Sequence, residues 1–213
     1  MRGLIFGASF FFLASFSVAE MATRTVAHAR EQTTWNTVYD PTYVKLKFPG
    51  GDISKDRGVC TDVIVRSLRH AGYDLQELIY LDKARSPASY PHRNRDANID
   101  HRRVPNQAVF FRRWGMALKL GSAWKPGDIV YWKLDNGRDH VGILTDRRGS
   151  SGNWMVVHNI AGTAEEDCLT QWKIVGHWRP DSNLARAREQ LRSARRPARK
   201  PAPAKRSTPA QRP

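Results

Sequence analysis

The constraint that most limits how this chain can fold is a change of period partway along it. Up to about residue 120 the apolar residues recur at helical spacing. From Trp124 onward they fall in short runs separated by turn signals. Trp124-Lys125-Pro126-Gly127-Asp128 reads as a turn into a strand over Ile129 to Leu134, and Asp135-Asn136-Gly137 is a hairpin signal. Further strands are expected over His140 to Thr145, Trp154 to Ile160 and Gln171 to Trp178. Helices are expected over Ala22 to Thr34, from Cys60 to Gly72 and over Pro105 to Leu120, with a short apolar element over Asp74 to Leu81. Helices first and an antiparallel meander afterwards predict an α+β domain, its N-terminal helices packed on an antiparallel sheet of four to six strands.

The two ends differ from this body. Met1 to Ala19 has a basic Arg2, an uncharged apolar run and a small-x-small pattern at Ser17-Val18-Ala19. It reads as a signal peptide over residues 1–19, with the mature chain starting at Glu20. The run is short for a bilayer span of about 20 residues, and no other stretch could cross, so no transmembrane segment is expected after cleavage. The chain should be exported, periplasmic or extracellular. Residues 181–213 carry ten Lys or Arg against Asp181 and Glu189, with five prolines, and so contribute eight of the formal +15. A disordered basic tail is expected there, with at most a frayed helix near Leu184 to Ala194. Such a tail attracts polyanions. For an exported chain, anionic envelope polymers are the expected partners rather than nucleic acid. Residues 20–180 remain as one domain, large enough for a single core.

Asp56-Arg57-Gly58-Val59-Cys60-Thr61-Asp62 places a thiol in the first turn of the second helix. The helix dipole there favours a thiolate, so a lowered pKa is expected. A hairpin centred near Gly149-Ser150 brings His140 opposite Asn159, or opposite His158 if the centre shifts by half a residue. A histidine with a His or Asn partner that fixes its tautomer is part of a nucleophile–base–orienter set. Asn98-Ile99-Asp100-His101-Arg102-Arg103 closes a long polar loop and offers two arginines for a substrate carboxylate or for surface ion pairs. Cys60, His92, His101, His140, His158, Cys168 and His177 supply donors for a metal, but no CxxC, HxH or HExxH spacing is present. Thiol chemistry therefore ranks above metal chemistry, and no metal or cofactor is expected. Two cysteines in an oxidising compartment can pair, and a Cys60–Cys168 bridge would abolish a nucleophile at Cys60.

Gly58-Val59-Cys60-Thr61-Asp62-Val63, Asn98 to Asn106, Gly127-Asp128-Ile129-Val130, Val157-His158-Asn159-Ile160 and Gly176-His177-Trp178 resemble an exported bacterial family of unknown function typified by YijF. The order of Cys60, Gly127-Asp128-Ile129-Val130, His140-Val141-Gly142-Ile143 and Val157-His158-Asn159 is also similar to the papain-like cell-wall amidases and endopeptidases of the NlpC type. That resemblance implies a papain-like domain. It casts Cys60 as nucleophile, His140 as base and His158, or else Asn159, as orienter, with Asp62, His101, Arg102 and Arg103 as candidate substrate contacts. It implies a thiol-dependent amidase or endopeptidase acting on peptidoglycan stem peptides. Two other functions fit: a non-catalytic wall-binding module and a thiol acyltransferase. After the cysteine, Thr61-Asp62 departs from the usual Ser-Gly of the NlpC pattern.

Overall fold

A computed structural model describes residues 17–194. The expected tail from 195 onward and all but the end of the expected signal segment lie outside these residues. The order is helices, then sheet, then one more helix: α1 (Val18–Glu31), α2 (Cys60–His70), α3 (Leu75–Arg85), α4 (Val104–Arg113), a sheet, and α5 (Ser182–Ser193). The fold is α+β. Two short parallel strands, β1 (Val38–Tyr39) and β2 (Arg57–Gly58), lead the chain into α2.

The main sheet contains β3 (Ala117–Leu118), β4 (Ile129–Lys133), β5 (Asp139–Arg148), β6 (Trp154–Asn159), β7 (Thr163–Glu166) and β8 (Lys173–Trp178). Its strands run antiparallel in the order β3-β8-β4-β5-β6-β7. Four of these six match the expected runs. Two, β3 and β7, are too short to show a period of their own. Gly115, at φ +75°, ends α4 earlier than the apolar pattern suggests. This frees Ala117–Leu118 to pair with the end of β8.

The sheet separates two apolar layers. Val63, Ile64 and Leu68 of α2 are fully buried against Val141, Ile143 and Val157 and against α3, α4 and α5. On the other face Val130, Trp132, Leu144 and Val156 form a second core with Cys168 and Leu169. Gly142 is required where β5 passes β6, because a Cβ there would lie 2.5 Å from the Val156 side chain.

Two expectations change. The folded body does not stop at 180: Leu184, Ala187 and Leu191 of α5 are buried in the helical core, and Arg192 pairs with Glu77 of α3. Composition hid this because the apolar residues are few among many arginines. The expected 83–103 loop also starts later, since α3 runs to Arg85, and it is pinned at several points. Lys83 is fully buried and bonds Asp100 at 2.8 Å. Asn106 bonds the same carboxylate, and Tyr90 donates to Asp82.

Candidate functional site

Cys60 opens α2 behind Val59, with β2 pinned just before it. Its sulfur faces backbone amides of Val141, Thr61 and Cys60 itself. Those amides favour a thiolate, but burial outweighs them and, with Asp62 adding to it, pushes the thiol up to about 12. The lowered pKa expected from the helix terminus is thus overturned by desolvation, since the sulfur is almost wholly enclosed. Both cysteines are unpaired.

The Val141 amide follows His140 directly, but the His140 side chain lies with Trp132 on the other face of the sheet. The ring of His140 lies against Trp132 and Trp172, and its Nε2 is 2.9 Å from Nδ1 of His158. The other nitrogen of His158, Nε2, is 2.8 Å from Oε2 of Glu166. A carboxylate only accepts, so His158 donates from Nε2 and its Nδ1 accepts from the Nε2–H of His140. That direction leaves the lone pair of the resting pair on Nδ1 of His140. Burial, then the charge of His158, lowers His140 to about 3, so at neutral pH the ring is uncharged. Among the described residues no hydrogen bond joins Cys60 to His140. At rest Cys60 is a thiol and His140 a neutral imidazole.

The hairpin register differs from both alternatives read from sequence. Leu144 pairs with Val156 and Arg148 with Trp154, four steps on β5 against two on β6. The bulge adds two residues to β5, and regular pairing with β6 ends at Ile143–Val157. His140 reaches His158 diagonally. Asn159 turns elsewhere: its amide donates to the Gly58 carbonyl at 3.4 Å, and its buried Oδ1 has no partner.

The candidate substrate contacts separate into two kinds. Asp62 and Arg102 are buried in a two-bond ion pair at 2.9 and 3.0 Å. Arg102 also donates to the carbonyls of Thr42 and Asp40, and Asp62 accepts from the Val59 amide. They hold the Cys60 turn to the loop, helped by the Thr61 hydroxyl on the Arg102 carbonyl. His101 is buried behind them, lowered to about 3 by burial and by Arg69 and Arg102, with Nδ1 unpartnered. Arg103 is exposed on the wall of a cleft of about 360 Å³ shared by Cys60, Tyr39, His92, Asn106 and Asp139.

Glu166 carried no sequence signal as part of the site. It sits among acids at the end of a strand too short to register, and only the Val156–Glu166 pairing shows that it shares the face of His158. Cys168 comes to the same place. His158, Glu166 and Cys168 each present a donor atom, all within 4.8 Å of one another. His177, another candidate donor, is held by Asp128 at 2.7 Å under Trp124.

Residues 26–180 match a family described as a domain of unknown function, DUF1287. The chain is 46% identical over 159 residues to the uncharacterized protein YijF of Escherichia coli (strain K12), covering 71% of this chain and 78% of that protein. With the match spanning most of the folded body, the chain belongs to the DUF1287 family.

Proposed function

We propose that the protein is an exported, papain-like thiol amidase or endopeptidase of NlpC type, acting on peptidoglycan stem peptides from the cleft beside Cys60. The observation that carries this reading is the hydrogen-bonded series Glu166–His158–His140, which leaves a lone pair on Nδ1 of His140, the residue just before the strand amide that meets the Cys60 sulfur. As substrate enters, Nδ1 of His140 takes the Cys60 proton while the sulfur attacks the amide carbon, forming a tetrahedral oxyanion near the α2 N-terminus. Collapse breaks the C–N bond, the leaving amine takes the proton from His140, and a thioester remains. Water, deprotonated by His140, then releases the acid and restores the thiol. His158 and Glu166 position His140. Resting catalytic hydrogen bonds are often loose and tighten on substrate. Arg103 at the cleft rim is suited to a substrate carboxylate.

The test is digestion of purified muropeptides by the full chain, with release of new amino termini as readout. Cys60→Ser and His140→Ala should both abolish it; release that persists in Cys60→Ser refutes the nucleophile.

One observation favours a second reading. The thiol is protonated and makes no hydrogen bond to His140, as suits a non-catalytic wall-binding module. In that case the cleft binds muropeptide with unchanged affinity in Cys60→Ser and releases nothing.

A further inference from the structure

His158, Glu166 and Cys168 bring three different kinds of metal ligand to one point on the sheet face away from the α2 core, and Cys168 has no part in the chemistry proposed above. Their donor atoms lie within 4.8 Å of one another. The β6–β7 pairing of Val156 with Glu166 and the turn that follows β7 put them there. His158 and Cys168 are almost fully buried, while the Glu166 side chain is half exposed. The group therefore has a fixed, dry floor and one movable ligand at its mouth.

We propose that His158 Nε2, the Glu166 carboxylate and the Cys168 sulfur form an inhibitory site for a divalent transition ion of the zinc class. Imidazole, thiolate and carboxylate together suit such an ion, and three protein ligands leave its fourth tetrahedral position for water. Zinc bonds of the usual length put tetrahedral ligands about 3.3–3.7 Å apart. The 2.8 Å His158–Glu166 contact must widen and the Cys168 sulfur must close in, motions the exposed Glu166 arm allows.

The inhibitory part rests on the reading of His140 as base. The ion replaces the proton on Nε2 of His158, and that proton leaves. Nδ1 of His158 then takes the proton from Nε2 of His140, and His140 takes one from solvent at Nδ1. Both rings stay neutral, and Cys168 gives up its thiol proton, so one proton is released overall. His140 then carries hydrogen on Nδ1, the nitrogen to which the proposed mechanism assigns the Cys60 proton, and cannot accept it. The bound ion switches off the base without entering the cleft.

The full chain is titrated with cobalt(II) as a coloured stand-in for zinc. One equivalent should give a thiolate-to-cobalt charge-transfer band that zinc bleaches. The band should persist in Cys60→Ala and vanish in Cys168→Ser. No band, or a band that survives Cys168→Ser, overturns the site. In a second arm, zinc should slow muropeptide cleavage several-fold, and should not do so in Cys168→Ser. A cobalt band with muropeptide cleavage unchanged by zinc overturns the inhibition and leaves the site standing. A cobalt band in a chain that cleaves no muropeptide counts against the hydrolase reading alone.

Discussion

Replacing Arg102 by leucine tests how the cleft is held together. The Arg102 and Asp62 side chains are 2% and 4% exposed and share two charge-assisted hydrogen bonds. Removing the guanidinium leaves a buried carboxylate whose remaining donor is the Val59 amide. Breaking one side of a buried pair costs about 3–5 kcal/mol. The lost bonds to the Thr42 and Asp40 carbonyls add little, because those residues are at least partly open to water. For a domain of this size each kcal/mol moves Tm by about 2–4 °C, so a fall of about 6–20 °C is expected. Urea unfolding followed by tryptophan fluorescence supplies the free energy, with m unchanged. Pairing Arg102→Leu with Asp62→Asn removes both charges and should cost less than the two single changes summed, by about 1–3 kcal/mol. The Thr61 hydroxyl rests on the Arg102 carbonyl, so Cys60 should also alkylate faster in Arg102→Leu as its turn loosens. A loss under about 1 kcal/mol, or strict additivity in the double variant, refutes the view that this pair clamps the site.

In a Cys168→Ser background, Cys60 alkylation should climb about tenfold per pH unit from pH 7 to 10, since its thiol is pushed up to about 12; a plateau near pH 6 would show a thiolate–imidazolium pair instead. His140 and His101 are each held neutral down to about 3, so their contribution to stability is present above the unfolded value of about 6.5 and is lost as pH falls toward 3. The urea midpoint should therefore drop across that window, and His101→Gln should flatten the slope. Glu166→Gln should lower kcat/KM about 10–100-fold, because an amide can donate or accept and no longer sets the tautomer of His158; an unchanged rate removes Glu166 from the series. Leu191→Ala should cost about 2–5 kcal/mol, and ending the chain at Pro180 should prevent cooperative folding.

What was legible in the sequence follows from how local each signal is. The α2 helix was visible because Val63, Ile64 and Leu68 recur at helical spacing on its apolar face, although Cys60 to Leu68 are buried on every side. Strands β4, β5, β6 and β8 were visible because each is long enough to show a period and is bounded by turn formers. The nearness of His140 and His158 could be read from one hairpin, but the register could not, since the two extra residues of the β5 bulge leave no mark in composition. Long-range facts were hidden. Nothing near Glu166 says that it meets His158, and nothing near Asp62 says that it is consumed by Arg102 forty residues later. The thiol was misjudged because a helix terminus is written locally, whereas the desolvation that overrides it comes from β5 and the packed loop.

The Lys83–Asp100–Asn106 hub has a consequence for how this family can diversify. A charged pair with no access to water tolerates few replacements at either end, so the backbone over 99–106 is frozen in shape across any sequence that keeps it. Variation then falls on side chains that project from that frozen backbone without supporting it, Arg103 among them. Changes of ligand preference within the family should therefore be point changes on an invariant frame rather than insertions or rebuilt loops.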